Sequence, residues 1–179
     1  FSLCAGILTQ NSSAQTQAHV ADTTKVSNLD EVIVSAIRAT EKTPMAHSTL
    51  TKAEITKRNL GQDIPTLLNY MPSVVTTSDA GNGIGYSGIR VRGSDATRVN
   101  VTINGIPYND AESQGTFWVN LPDFASSTQN IQLQRGVGTS TNGSAAFGAS
   151  LNLLTDVQSK KASASIANSF GSFSTKKHT

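Results

Sequence analysis

The chain has 179 residues, enough for one domain with a modest core and flanking segments. Charged residues make up 15% and aromatic residues 6%, which excludes a charge-rich disordered chain. The formal net charge is only +2 and the basic residues are spread along the sequence, so we expect no nucleic-acid partner. The single cysteine, Cys4, excludes an internal disulfide and a CxxC metal or redox site.

The N-terminal residues have the composition of a leader segment. Residues 1–9 are apolar and are followed by small polar residues up to Gln15. We interpret residues 1–15 as the remnant of a secretory signal peptide, with a buried apolar end of a soluble domain as the alternative. The apolar stretch is too short to cross a bilayer as a helix, which takes about 20 residues. Residues 16–29 show no apolar period, so we predict a flexible segment.

A short β-branched run follows this segment. Val32, Ile33 and Val34 come directly after two acids and have high strand propensity, but no hairpin partner lies next to them in the sequence. Two interpretations are open. The run is either a tethered strand that adds itself to the sheet edge of another protein, or the first strand of the domain's own sheet.

Two short helices are predicted next. Thr51 and Glu54 have the spacing of a capping box, which predicts a helix from Lys52 to about Asn59. Asp63 is the cap candidate of a second helix, which has Pro65 in its first turn and an apolar face of Leu67, Leu68 and Met71. A short strand is predicted at Val74, Val75 and Thr76.

The stretch Ile89–Asp110 carries the clearest strand signal of the chain. Apolar and polar residues alternate before and after Gly93-Ser94, and Asn104-Gly105 is a turn pair that accepts positive φ at both positions. We predict a compact hairpin unit here, with further strands at Asn130–Gln134 and Leu151–Leu154. From Lys160 onward small apolar and polar residues alternate through Ala162, Ala164, Ile166 and Phe170, a pattern typical of a transmembrane β-strand.

A glycine-rich loop and an aromatic pair each resemble a known kind of binding site. Gly83, Gly85 and Gly88 have the spacing of a dinucleotide-binding loop, but a strand pattern follows instead of the required helix, so we predict a plain glycine loop. Phe117-Trp118 ends a polar loop, where packing of Trp118 is favoured over stacking on a ligand.

No catalytic or metal-binding pattern is present in the sequence. The three histidines, His19, His47 and His178, lie far apart, and the acids Asp95, Asp110, Glu112 and Asp123 have no spacing that predicts an acid–base pair. We therefore predict no enzyme activity, no metal and no cofactor. A secreted enzyme whose scattered acids meet in a pocket is the weakest of the alternatives.

Taken in order, the segments resemble the plug domain of TonB-dependent outer-membrane receptors. The resemblance covers about Asp30 to Thr155. DEVIVSA at Asp30–Ala36 resembles the TonB box, DIPTLLNYMPSV at Asp63–Val74 the family's helix and strand, and Ile89–Asp110 its central core. IQLQRGVGTSTNGSAAFGASLNLLT at Ile131–Thr155 is similar to the last part of the family's pattern and departs from it at Val137, Phe147 and Ala149-Ser150.

The resemblance implies an α+β fold, a small mixed β-sheet with short helices. In this interpretation 37–158 is the plug domain, and 159–179 begins a truncated transmembrane β-barrel, which in this family has about 22 strands. The implied location is the outer membrane, with the N-terminus in the periplasm. The implied function is import of a scarce ligand such as a ferric siderophore, haem or cobalamin, energised by TonB. A stand-alone periplasmic or surface module for binding or adhesion is the alternative.

The resemblance also assigns roles to particular residues. The implied TonB-binding residues are Asp30, Glu31, Val32, Ile33, Val34, Ser35 and Ala36. Arg92 and Arg135 each belong to an Arg-Gly pair at a strand end, and by motif position they correspond to plug arginines that contact the barrel in this family. The alternative is that both arginines are simply solvated. The expected ligand-facing residues are Asn82, Tyr86, Gln114, Phe117 and Trp118.

Overall fold

The computed structural model describes residues 38–138, 146–157 and 161–179. Three predictions lie outside the described residues: the signal-peptide remnant at 1–15, the flexible segment at 16–29 and the strand at Asp30–Ala36. In chain order, the elements are β1 (His47–Thr51), α1 (Lys52–Arg58), α2 (Ile64–Leu68), β2 (Val74–Ser78), β3 (Ser87–Val91), β4 (Val99–Ile103), β5 (Ile106–Pro107), β6 (Thr128–Arg135), β7 (Ala149–Thr155), β8 (Asn168–Phe170) and β9 (Lys176–His178). Short 3-10 turns occupy Ala96–Arg98, Trp118–Asn120 and Phe124–Ser127.

The main sheet has five strands in the order β1-β6-β7-β4-β5. β4 and β7 run parallel, whereas the other neighbouring pairs are antiparallel. β2 and β3 form a separate two-stranded sheet, as do β8 and β9. A mixed sheet with two short helices confirms the α+β fold class.

Both predicted helices are present, but α2 ends at Leu68 and so leaves Met71, a predicted member of its apolar face, outside the helix. The Thr51 amide and hydroxyl each donate to the Glu54 carboxylate at 2.9 Å, and these hydrogen bonds hold the pKa of Glu54 below its ordinary value. α2 begins directly after Asp63 and has Pro65 in its first turn. The buried Asp63 carboxylate does not cap the helix but accepts a hydrogen bond from the Ser87 hydroxyl at 2.7 Å, so it joins α2 to β3.

The core lies between the apolar face of the main sheet, the two helices and the small sheet of β2 and β3. Period-two alternation turns every second residue of β4, β6 and β7 toward this core. Its largest fully buried members include Trp118, Ile55, Ile64, Leu68, Ile131, Leu133, Leu151, Leu153, Val91, Val99 and Val101.

The opposite face of the main sheet is polar, yet its central residues are also buried. Strand pairing aligns them in two rows that cross four strands, Thr49–Gln132–Asn152–Thr102 and His47–Gln134–Ser150–Asn100. We call these rows the polar face. Within the described part of the chain, the Ser150 hydroxyl and the Asn152 amide nitrogen are buried without a hydrogen-bond partner. Buried polar groups need hydrogen-bond partners. The polar face must therefore be covered by backbone, side-chain or solvent groups that can form hydrogen bonds.

The predicted hairpin unit at Ile89–Asp110 is only partly correct. Asn104 and Gly105 both have positive φ and join β4 to β5, as the turn pair predicts. β3, however, pairs with β2 and not with β4. A strand has two edges, and both edges of β4 are occupied, by β7 and by β5. The sequence also gave no prediction of β1, whose residues HSTLT include only one large apolar side chain.

The strand near the C-terminus is shorter than the alternation of residues from Ala162 onward predicts. Of the alternating residues from Ala162 to Gly171, only Asn168–Phe170 are in a strand, and this strand pairs with Lys176–His178. The Lys177 ammonium group binds the Asp123 carboxylate at 2.8 Å and thereby attaches the hairpin to the remainder of the described chain. Among the helices in the described ranges, none has the length and apolar character needed to cross a membrane.

Candidate functional site

The first candidate site is a group of arginines at one end of the main sheet. Arg92 follows β3 in a tight turn, closed by hydrogen bonds between the backbone groups of Val91 and Ser94 at 3.0 and 3.2 Å. Both central residues, Arg92 and Gly93, have positive φ, which is the geometry of a type I′ turn. The Arg92 side chain in this turn is exposed.

Arg135 reaches the same end of the sheet from the last position of β6. Its Nη1 donates to the Ser48 hydroxyl at 2.9 Å and to the Pro72 carbonyl at 3.4 Å. The Arg92 amide donates to the carbonyl of the next residue, Ser73, at 2.9 Å. The Arg92 Nη1 also lies 3.3 Å from the position that a Cβ on Gly136 would occupy. The structure therefore brings together the two arginines that the sequence analysis singled out, 43 positions apart in the chain.

Two further arginines, which the sequence analysis missed, extend this group. Arg90 and Arg98 line one shallow depression together with Arg92 and Asp95, and the Arg98 guanidinium lies 5.9 Å from the centre of the Phe147 ring. The Asp95 carboxylate accepts hydrogen bonds from the Thr97 hydroxyl and amide, and these lower the pKa of Asp95. We call Arg90, Arg92, Arg98 and Arg135 the arginine surface.

The arginine surface carries net positive charge. Neither of the ion pairs found within 4.0 Å among the described residues involves one of its arginines. A sequence signal for Arg90 was available, because it lies two positions before Arg92 in a period-two strand. For Arg98 there was no such signal, since its position depends on the 3-10 turn that leads into β4.

The second candidate site is a depression beside the β2–β3 hairpin. We call it the aromatic depression; Thr77, Asp79, Tyr86, Thr116, Phe117 and Trp118 are among the residues that line it. Tyr86 is 68% exposed and Phe117 is 47% exposed, so their rings are accessible. The Thr116 hydroxyl is buried and has no hydrogen-bond partner in the described part of the chain.

The expected ligand-facing residues do not form a single group. Tyr86 and Phe117 share the aromatic depression, whereas Asn82 lies in another groove, which Gln62 and Phe170 also line. The Gln114 amide nitrogen donates to the Ala111 carbonyl at 2.9 Å and so closes its own loop.

The structure corrects the expectation that Trp118 faces a ligand. It is only 2% exposed and belongs to the hydrophobic core, so it packs the loop down, which is the role that the sequence analysis favoured. Its indole borders the aromatic depression from below and offers no exposed ring face on which a ligand could stack.

Among the residues that the structure describes, no three His, Cys, Asp or Glu side chains are grouped so that they could hold a metal ion. Asp30–Ala36 precede the described residues, which begin at Arg38. Burial lowers the pKa of Arg38, and no group in the described part of the chain forms a hydrogen bond with its Nη1.

Comparison with known proteins identifies the family. A family model described as the TonB-dependent Receptor Plug Domain matches residues 39–150, which is more than half of the chain. The vitamin B12 transporter BtuB of Vibrio cholerae is 28% identical over 148 residues, which cover 80% of this chain and 23% of that protein. The chain therefore spans about a quarter of the length of this curated relative.

Solved structures give weaker matches. The siderophore receptor PirA from Acinetobacter baumannii is 24% identical and covers 63% of this chain and 17% of its own, at a TM-score of 0.49. The ferric enterobactin receptor PfeA of Pseudomonas aeruginosa is 26% identical and covers 65% of this chain and 18% of its own, at a TM-score of 0.48. The assignment therefore depends on the family model. Because that model covers most of the described residues, this chain belongs to the family of TonB-dependent receptor plug domains.

Proposed function

We propose that this chain is the plug of an outer-membrane receptor that imports a scarce ligand, such as a ferric siderophore, haem or cobalamin, with energy delivered through TonB. The single observation that carries the proposal is the match to the plug family over residues 39–150. The vitamin B12 transporter among its relatives supports import as the activity, and no enzyme activity is proposed. The plug lies inside the receptor's own β-barrel, with its N-terminal end in the periplasm.

The arginine surface supplies the proposed contact between plug and barrel. Arg92 and Arg135 lie side by side, and no carboxylate of the described residues forms an ion pair with either of them. A guanidinium group forms its strongest pairs with carboxylates, through two parallel hydrogen bonds. Acidic side chains on the inner wall of the barrel are therefore the proposed partners, and these pairs hold the plug in place.

The aromatic depression is the proposed ligand-facing surface. Tyr86 and Phe117 present accessible rings, and the Thr116 hydroxyl, which has no partner among the residues that the structure describes, adds a polar group for orientation. Apolar rings with a few polar groups are typical of small-molecule sites. Asn82, which lies in a separate groove, and Gln114 are proposed as further ligand contacts.

Coupling to TonB is proposed to occur by strand addition at Asp30–Ala36. Strand addition depends on backbone amides, so replacing Val32 or Ile33 with proline removes a donor from the ladder. We expect Val32→Pro to abolish ligand uptake by cells that depend on the receptor, measured as ligand accumulated over time. The matched control is Thr24→Pro in the preceding segment, which we expect to leave uptake at the wild-type level.

The outcome of this experiment is decisive for the coupling step. Normal uptake by the Val32→Pro receptor, at the wild-type receptor level in the membrane, would contradict strand addition at Asp30–Ala36. Loss of uptake in both proline variants would show that the segment responds to any backbone change, and it would contradict the specific assignment.

A further inference from the structure

The polar face of the main sheet holds a backbone segment that comes from outside the sheet. The Ala39 amide donates to the Gln132 Oε1 at 2.8 Å, and the Gln132 Nε2 donates to the Ala39 carbonyl at 2.9 Å. Both residues are buried. A side-chain amide carries the same donor and acceptor as a peptide group, so Gln132 binds Ala39 as a neighbouring strand would. We call these two hydrogen bonds the Gln132–Ala39 bridge.

Neighbouring side chains fix the orientation of the Gln132 amide. Its oxygen also accepts from the Gln134 Nε2 at 3.1 Å, and its nitrogen also donates to the Thr49 hydroxyl at 3.3 Å. A flipped amide would place donor against donor at Ala39, so only one orientation satisfies all four contacts. The side-chain amide of Gln132 is therefore already oriented to bind the backbone of Ala39.

The bridge is the first long-range attachment of the described chain. After Ala39, the chain closes a local turn in which the Thr43 amide donates to the Thr40 carbonyl at 2.9 Å. The next attachment to the sheet is at Ala46, whose carbonyl accepts from the Arg135 amide at 2.9 Å, and β1 then pairs with β6 from His47 onward. A pull on the chain before Arg38 therefore loads the two hydrogen bonds of the bridge before it loads the ladder of β1.

Arg38, the neighbouring residue, opposes the bridge. Among the described residues its Nη1 is buried without a hydrogen-bond partner, and burial lowers the pKa of the guanidinium group. Release of this segment would return the guanidinium group to water, so the hydrogen bonds of the bridge work against the solvation of Arg38.

We propose that Gln132 is a positioning residue that holds the chain at Ala39 and so limits how readily the segment three residues upstream, Asp30–Ala36, becomes available to TonB. This inference rests on the proposed function, which assigns TonB binding to that segment. Gln132 itself touches neither TonB nor the ligand. Its role is to set the fraction of receptors in which the attachment at Ala39 is open.

The first test measures the bridge without TonB. Gln132→Met keeps the length and burial of the side chain but removes both hydrogen bonds to Ala39. In the intact receptor, we expect amide hydrogen exchange in a peptide covering residues 38–46 to be on the order of tenfold faster, because two buried hydrogen bonds are lost. Peptides covering α1 and β7 should keep their wild-type rates. Unchanged exchange at residues 38–46 would overturn the proposal.

A matched glutamine elsewhere provides the control. The Gln62 amide also donates to a backbone carbonyl, that of Asn82 at 3.2 Å, but it is remote from the polar face. Gln62→Met should leave exchange at residues 38–46 unchanged. A second variant, Ala39→Pro, removes the Ala39 donor without altering any side chain of the sheet, so it tests the bridge even if Gln132→Met disturbs the sheet.

The second test measures the consequence for TonB. We expect the purified periplasmic domain of TonB to bind the ligand-free receptor on the order of tenfold more tightly in Gln132→Met and Ala39→Pro than in wild type or Gln62→Met. Faster exchange with unchanged TonB affinity would overturn the inference and leave the proposed function intact. Absence of TonB binding in every receptor, wild type included, would contradict the proposed function and the inference with it.

Discussion

At the scale of single residues, the arginine surface depends on a backbone conformation that the sequence signals only in part. The Arg-Gly pair places a glycine at the second central position of the turn, where positive φ has no steric cost. Arg92 occupies the first central position with φ of 52°, a conformation that few non-glycine residues adopt. This uncommon conformation at an exposed arginine agrees with the proposed contact to the barrel.

Charge reversal at this position gives a direct test. Arg92→Glu keeps a non-glycine residue in the turn, so the backbone cost is similar, while a bidentate pair with a barrel carboxylate becomes a repulsion. We expect a severalfold loss of uptake or a severalfold rise in passive leak of the full receptor, measured by ligand accumulation and by small-solute permeability. Lys57→Glu, an equal change of charge on the exposed face of α1, is the control. Wild-type uptake and permeability in Arg92→Glu would contradict the contact.

At the scale of elements, side-chain amides complete several backbone pairings of the sheet. Asn109 accepts from the Val101 amide at 2.7 Å and donates to the Val99 carbonyl at 2.9 Å, next to the short strand β5. Asn104 similarly exchanges hydrogen bonds with Thr155 at the other end of the sheet. The Gln132–Ala39 bridge is the third instance. Short strands leave many backbone groups unpaired, and buried groups must find partners elsewhere.

Gly148, just before β7, packs closely against the turn that carries Arg92. The Gly148 amide donates to the Arg98 carbonyl at 2.8 Å, and a Cβ on Gly148 would lie 2.5 Å from the Ser94 Cβ and 3.1 Å from the Arg98 carbonyl oxygen. Only glycine fits between β7 and the turn that carries Arg92. The start of β7 and the arginine surface are therefore fixed by the same contact.

Gly148→Ala is expected to destabilise the chain. Overpacking of this kind costs about 1–3 kcal/mol, so we expect the free energy of unfolding in urea to fall by that amount at an unchanged m-value. The matched control is Gly115→Ala, where the added Cβ would meet only the Ser113 hydroxyl, at 3.6 Å. Equal unfolding free energies for the two variants would refute the close approach at Gly148.

At the scale of the whole molecule, one ion pair attaches the C-terminal hairpin. Asp123 accepts from the Lys177 ammonium group at 2.8 Å, from the Asn59 amide at 3.1 Å and from the Thr179 hydroxyl at 3.1 Å. Partial burial alone would raise the pKa of Asp123, but hydrogen bonds from Lys177, Ser126 and Asn59 outweigh it and lower the pKa below its ordinary value of 3.8. The hairpin is thus held by a carboxylate that must be ionised.

This attachment predicts a pH dependence. Because the pKa of Asp123 is lowered in the folded state, its contribution to stability is complete above the ordinary value of 3.8 and is lost as the pH falls through the folded-state pKa. We expect Asp123→Asn to lower the free energy of unfolding by about 1 kcal/mol at pH 7. The difference from wild type should disappear in the acid range, below the folded-state pKa. Urea titrations at several pH values measure both quantities.

The second ion pair of the described chain provides the comparison. Lys52 and Asp156 are 2.7 Å apart, but their side chains are 41% and 48% exposed, against 16% and 29% for Lys177 and Asp123. Solvent screens the more exposed pair, so Asp156→Asn should cost less stability than Asp123→Asn. The reverse order would contradict the proposed importance of the hairpin attachment.

Much of the local structure could be predicted from the sequence alone. The Asn104-Gly105 turn, the helix that begins after Thr51 and the strands β6 and β7 each follow from residues within a few positions of one another. The order of these segments was sufficient to indicate the plug family, which the family model confirms. The predicted TonB-binding segment and the ligand-facing residues other than Trp118 stay predictions.

Tertiary structure decided the features that depend on distant residues. It placed β3 beside β2, buried Trp118, brought Arg92 against Gly136 next to Arg135, and joined Gln132 to Ala39 across 93 positions of sequence. Local propensity acts over a few residues, whereas strand pairing and burial depend on which surfaces meet when the whole chain folds. The sequence alone therefore determined the Asn104-Gly105 turn, the capping box at Thr51 and the family. Only the folded sheet decided which arginines lie side by side and which buried amide holds the backbone.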